Sequence, residues 1–235
     1  MQYFLLNLVL ETSPEIWSSV GLIALYLSLI LIVAEGINRL TDTQGEITRK
    51  IVHIGSGHVV LFAWWLQIPE WIGIAAAFVA GLVALISYFL PILPSINSVG
   101  RQSLGTFFYA LSIGIVISIF WPLNHPEYAA IGILVMAWGD GLAALIGQNF
   151  GNHPYQLGNI QKSWEGSLTM TVISFLVILI ILGSVNGLNW QVSLTAFVVA
   201  IVATALESFS KFGVDNLTVP VGSAMLTFIL HQSLL

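Results

Sequence analysis

Tyr128-Ala129-Ala130-Ile131-Gly132-Ile133-Leu134-Val135-Met136-Ala137-Trp138-Gly139-Asp140-Gly141-Leu142-Ala143-Ala144-Leu145-Ile146-Gly147 is an apolar run interrupted by a single charge, Asp140. At a rise of ~1.5 Å per residue, a helix of this length crosses a hydrocarbon core of about 30 Å. The run is continuously apolar rather than alternating. Backbone groups in lipid must also pair within their own segment, so a helix is expected rather than a barrel strand. Working outward, comparable runs fall at about 17–36, 50–68, 70–91, 105–121, 166–187, 190–208 and 217–233. Hydrophobic residues make up 57% of the chain and charged ones 7%, against roughly 25% charged residues in soluble domains. An ordinary soluble domain is excluded. The expectation is an all-α, polytopic membrane protein with about seven to eight transmembrane helices. It forms one domain over residues 1–235, since the longest connection, 148–165, leaves no room for another.

The six basic residues orient these helices. Arg39, Arg49 and Lys50 lie between the first and second runs and Arg101 between the third and fourth. Lys162 follows the fifth run and Lys211 the seventh, while the alternate connections hold no Lys or Arg. Basic loops face the cytoplasm, so both termini are expected on the opposite side. Trp17, Trp64, Trp65, Trp71, Trp121 and Trp190 then fall at the far interface, as an aromatic belt would. No basic stretch precedes the apolar start, so no cleaved signal peptide is expected. The formal charge of −5 is carried by few groups and says little about partners; no nucleic-acid partner is expected. Without cysteine there is no disulfide, thiolate metal site or cysteine nucleophile. Chemistry must come from carboxylates, lysines, arginines and histidines.

Asp140 lies about 10 Å inside the cytoplasmic interface if its helix ends near Gly147. A carboxylate there costs roughly 2.5–3.5 kcal/mol on insertion scales, so it needs a cation or a basic partner. A structural ion pair with a lysine and a divalent metal both remain open, the oxygen ligand suiting the latter. Gln161-Lys162-Ser163-Trp164-Glu165-Gly166-Ser167 opens the sixth run. Lys162 reads as a topology determinant or a phosphate contact, and the helix start adds unpaired N–H groups. Glu165 reads as a metal ligand or a capping carboxylate. In Arg49-Lys50-Ile51-Val52-His53-Ile54-Gly55-Ser56-Gly57 the basic residues and His53 share a helix face, and Gly57 leaves room beside it. His53 is a candidate base or phosphate contact. Arg101, beside Ser103 and Thr106, reads as an orientation signal or a phosphate grip.

Asp215-Asn216-Leu217-Thr218-Val219-Pro220 reads as a helix start with Pro220 in its first turn, or as a second metal or substrate site beside Glu207. His58, His125, His153 and His231 show no partner at metal-ligand spacing and are expected to be bland. No phosphate-binding Gly-x-x-x-x-Gly-Lys loop and no soluble-kinase signature is present.

Together, Arg49-Lys50-Ile51-Val52-His53-Ile54-Gly55, Gly100-Arg101, Gly139-Asp140-Gly141-Leu142-Ala143, Lys162-Ser163-Trp164-Glu165-Gly166-Ser167 and Asp215-Asn216-Leu217-Thr218-Val219-Pro220 resemble the polyprenol kinase family, the phytol, farnesol and dolichol kinases of membranes. Their order and spacing are similar to the phytol kinase branch, over residues 49–220. The resemblance implies a CTP-dependent kinase acting on an isoprenoid alcohol with Mg²⁺, its site facing the cytoplasm. It implies Asp140 and Asp215 as metal ligands with Glu165 completing the set. Lys50, Arg101, Lys162, Ser163 and Asn216 would contact nucleotide or phosphate, and His53 or Asp140 would take the hydroxyl proton. The chain departs from many relatives at Ala144 and Val214, where an acid is common; fewer carboxylates favour a single Mg²⁺. A CDP-lipid synthase is the nearest alternative, but it typically has a proline and further basic residues around the lysine, where this chain has Gln161 and Ser163. A transporter is a further alternative; it would need polar groups in both leaflets, whereas the far halves of these runs are almost wholly apolar.

Overall fold

The computed structural model describes residues 14–40, 45–89, 104–158 and 160–234. The chain forms helices α1 (Pro14–Leu40), α2 (Gly45–Gly57), α3 (Val59–Trp65), α4 (Glu70–Phe89) and α5 (Gly105–Phe120). A continuous central helix follows, made of α6 (Pro126–Leu134), a π-helical turn over Val135–Asp140, and α7 (Gly141–Phe150). Strands β1 (Pro154–Leu157) and β2 (Ile160–Ser163) form an antiparallel hairpin. Then come α8 (Trp164–Asn186), α9 (Trp190–Ser208) and α10 (Asp215–Leu234). Among the described residues, six helical segments are long and apolar enough to span a membrane. With the shorter α5 and the broken pair α2–α3, the all-α membrane architecture holds.

The central helix is the hub. Of its most apolar window 72% is buried in protein, against 6% for α1. A helix apolar on all sides suits such a position, and in lipid its neighbours are held by close contact rather than by hydrophobic exclusion of water. Small residues set that contact. Gly132 lies directly under the Pro220 carbonyl of α10, where a side chain would collide. A methyl on Gly139 would stand 2.6 Å from the Met170 sulfur of α8, and one on Gly141 would stand 2.7 Å from Ile54 of α2.

Three details differ from the sequence reading. The run at 50–68 is two helices, because Gly55 and Gly57 weaken the turn. His58 also bonds back to the Gly55 carbonyl through its amide at 3.2 Å and its ring at 3.4 Å. The last helix begins at Asp215, so Pro220 lies beyond its first turn, inside the helix. The 148–165 connection is largely structured: the central helix runs on to Phe150 and the hairpin fills most of the rest.

The short turns at the other end of the bundle from the hairpin, 66–69, 121–125 and 187–189, use simple turn chemistry. Gln67 and Asn124 take positive φ angles of 51° and 57°. The Asn189 side chain caps α9 by accepting from the Val192 amide at 2.8 Å.

Candidate active site

At the end of the bundle where the central helix passes from its π turn to α7, side chains from distant segments meet. Wide π turns recur at functional sites in helices, and Asp140 is the last residue of this one. The Lys50 ammonium of α2 reaches Asp140 Oδ2 at 2.5 Å. Both residues are buried, at 5% and 8% exposure. His53, one turn further along α2, points Nε2 toward the same oxygen from 3.9 Å. Among the described residues that buried nitrogen has no hydrogen-bond partner. The His53 ring lies on Tyr109 of α5 with centroids 4.4 Å apart, and the Tyr109 hydroxyl donates to the His53 carbonyl at 3.5 Å. The room beside Gly57 is therefore taken by protein: a methyl there would meet Ala137 at 2.5 Å and the Tyr109 hydroxyl at 2.8 Å.

The second half of the site comes from the hairpin and the α9–α10 connection. Lys162 on β2 donates to the buried carboxylate of Glu207, near the end of α9. Burial alone would lower the Lys162 pKa. The carboxylates of Glu207, Asp140 and Asp215 outweigh burial and raise it, so this ammonium stays charged. Asp215 opens α10, accepts from Ser210 at 3.3 Å, and lies within electrostatic reach of Asp140, Lys162 and Lys50. Lys50, His53, Asp140, Lys162 and Asp215 are thus brought together.

Other residues expected at the site have local partners. Ser163 caps α8, accepting from the Gly166 amide at 3.1 Å. Glu165 accepts from His153, through the ring at 2.6 Å and the amide at 3.2 Å. Asn216 donates to the Gly213 carbonyl at 3.3 Å. Arg101 lies outside the described residues.

The structure adds Tyr109, and it gives Glu207, which the sequence placed only beside a second metal or substrate site, a lysine partner. Glu207 is one acid at a helix end, and its lysine partner is 45 positions away. The remaining histidines have ordinary protein partners, and among the described residues none joins a metal-ligand group. His58 accepts from the Trp138 indole at 3.1 Å and His125 meets Glu127 at 2.8 Å. His231 bonds the Tyr128 hydroxyl at 2.9 Å. The last two sit at the opposite end of the bundle, so that end holds polar pairs the sequence reading did not anticipate. Between them and Asp140 the central helix presents Ile131, Ile133, Val135 and Met136, each fully buried.

No protein-family model matches the chain, and no solved structure does. Curated proteins do match. The chain is 56% identical over 214 residues to a phytol kinase of Synechocystis sp., with 91% of each chain covered. It is 29% identical to phytol kinase 1, chloroplastic, of Arabidopsis thaliana, covering 83% of this chain and 70% of that one. It is 27% identical to a probable chloroplastic phytol kinase of Triticum aestivum, covering 80% and 68%. An identity above one half over nine-tenths of both chains decides the matter: this chain belongs to the phytol kinase family.

Proposed function

We propose that the chain transfers the terminal phosphoryl group of CTP to the hydroxyl of phytol or a similar isoprenoid alcohol at the cytoplasmic surface of a membrane. The observation that carries this reading is the convergence of Lys50, His53, Asp140, Lys162 and Asp215 at one end of an apolar bundle. Phosphoryl transfer asks mainly for positioning and for cancellation of phosphate charge. Two ammonium groups and two carboxylates, Asp140 paired with Lys50 and Asp215 held by Ser210, suit that need, and the apolar helices suit an alcohol whose tail stays in lipid. CTP as the donor rests on the family resemblance.

The donor set also suits magnesium. Among the described residues no three His, Asp or Glu side chains gather as a closed metal cage. Magnesium does not ask for one: it is usually held by one or two carboxylates, substrate phosphates and water. Asp140 and Asp215 would be the carboxylates to hold it, with Glu165, which pairs with His153, completing the set. When bound, the ion would neutralise charge on the transferring phosphoryl group. The chain's own residues do the rest. Lys162 and Lys50 each have three N–H donors, so beside their carboxylate partners they have donors left for phosphate oxygens, and the family resemblance adds Arg101 as a third cation. His53, buried and with Nε2 free of hydrogen bonds among the described residues, or Asp140 would accept the hydroxyl proton.

The decisive experiment supplies purified protein with phytol, Mg²⁺ and CTP labelled at the γ- or the α-phosphate. Label from the γ-position is expected in the lipid fraction, with α-label remaining in soluble CDP. Lipid labelled only from the α-position would mean CMP transfer and a cytidylyltransferase instead.

A further inference from the structure

The hairpin that carries Lys162 is fastened to the bundle at two adjacent points. Tyr155 and Lys162 lie directly opposite each other in the strand register and so on one face of the hairpin. They meet consecutive residues at the end of α9: Lys162 takes Glu207, and the Tyr155 hydroxyl bonds Ser208 at 3.3 Å. The same hydroxyl bonds Ser167 of α8 at 2.6 Å. Glu207 and Ser208 are buried, at 5% and 6% exposure.

A buried carboxylate is costly unless its charge is answered, and the only cation paired with Glu207 among the described residues is Lys162. Lysine carries a point charge on a flexible four-carbon stem. Without Glu207, the acids left within its reach are Asp140 and Asp215. The ammonium would then settle on those carboxylates and cancel them.

We infer that Glu207 is a positioning residue that acts through Lys162, holding its ammonium beside Asp140 and Asp215 without letting it collapse onto them, with the Tyr155 hydroxyl as the second fastening. This rests on the proposal that Lys162 grips the donor's phosphates. A role in packing alone predicts something different, because glutamine fills the same space as glutamate and still accepts a hydrogen bond.

The test measures kcat and both KM values for the full chain in detergent, with CTP and phytol. Glu207→Gln is expected to lower kcat about 100-fold, the order of loss that accompanies misplacement by about an ångström, while the KM for the alcohol stays near the wild-type value. Glu207→Asp, which keeps the charge, is expected to recover about tenfold of that loss, and Tyr155→Phe to lose about tenfold. In a Lys162→Met background, adding Glu207→Gln is expected to change kcat by less than about twofold, because residues acting through one another are not additive. Wild-type turnover in Glu207→Gln, or a loss that multiplies fully in the Lys162→Met background, overturns the inference. Where Glu207→Gln does not extract as a folded protein, Glu207→Asp and Tyr155→Phe carry the test, and wild-type kcat in both overturns it. Wild-type protein that transfers no phosphoryl group from any nucleoside triphosphate overturns the underlying kinase reading and this inference with it.

Discussion

Asp140 needs an answer to its charge, and it has one: Lys50 at 2.5 Å. That contact fits both meanings a membrane carboxylate can have, a structural ion pair and a site for a cation, and a double substitution separates them. Asp140→Asn keeps the side chain's shape but leaves the buried Lys50 ammonium uncompensated, a change that costs about 3–5 kcal/mol when a buried pair is broken. Lys50→Met with Asp140→Asn removes both charges and is expected to restore most of that stability, read from thermal unfolding in detergent. Activity is expected to stay lost in the double variant, because Asp140 would still lack the charge to hold Mg²⁺. A double variant that regains both stability and turnover would reduce Asp140 to a structural partner of Lys50. His53 belongs to the same microenvironment, but its Nε2 is 3.9 Å from the carboxylate and makes no hydrogen bond among the described residues.

Helices were legible in the sequence where composition alone defines them, and obscure where partners lie far along the chain. Residues 128–147 announce a buried span because nothing on any face is polar except Asp140. The break at His58 was hidden inside an apolar run; only the paired glycines Gly55 and Gly57 hinted at it. Lys162 and Asp215 carry local patterns that can be read. Glu207 carries none, since its meaning comes from a lysine 45 positions earlier. His231 is similar, its Tyr128 partner being 103 positions away. Glycines give a check on this level of structure. A methyl at Gly57 would collide with Ala137, a side chain with no torsion through which to yield, whereas one at Gly21 in α1 would meet nothing within 4 Å. Gly57→Ala is therefore expected to destabilise by about 1–3 kcal/mol, as overpacking does, and to weaken activity by moving α2 and its Lys50 and His53. Gly21→Ala should be neutral or slightly stabilising, since alanine is the better helix former. Equal melting temperatures for the two variants would mean that α2 does not pack against the central helix as closely as described.

Across the whole molecule, the lysine–carboxylate cluster sits at one end and the His125–Glu127 and Tyr128–His231 pairs at the other. Tyr128, near the start of the central helix, bonds His231, near the end of α10. Asp140, in the second half of the central helix, and Asp215, at the start of α10, lie within electrostatic reach of each other. The two helices therefore run antiparallel, and the C-terminal end of α10 lies opposite the Lys162 hairpin. Trp121 is at the end away from the hairpin, its indole bonded to the Ile68 carbonyl at 3.0 Å in the turn after α3. Trp17 and Trp190 are more than half exposed, at 55% and 64%, as residues of an interfacial belt would be. The fold thus separates two ends, and by the positive-inside rule the end with the basic residues is the one expected to face the cytoplasm. Accessibility tags inserted after Lys162 and after Lys211 are expected to be reached from the cytoplasm, and a tag at the C-terminus only from the far side. Tags at Lys162 and the C-terminus reporting the same side would require an odd crossing to be lost or gained between them. Of the segments between, α8, α9 and α10, α10 has the lowest mean hydropathy, 1.3, and contains Pro220, so it would be the crossing to re-examine. Reversal of all tags together would leave the fold and the site intact and overturn only the orientation. A kinase drawing on cytoplasmic CTP could not work from that orientation, so the tag experiment also bears on the nucleotide donor.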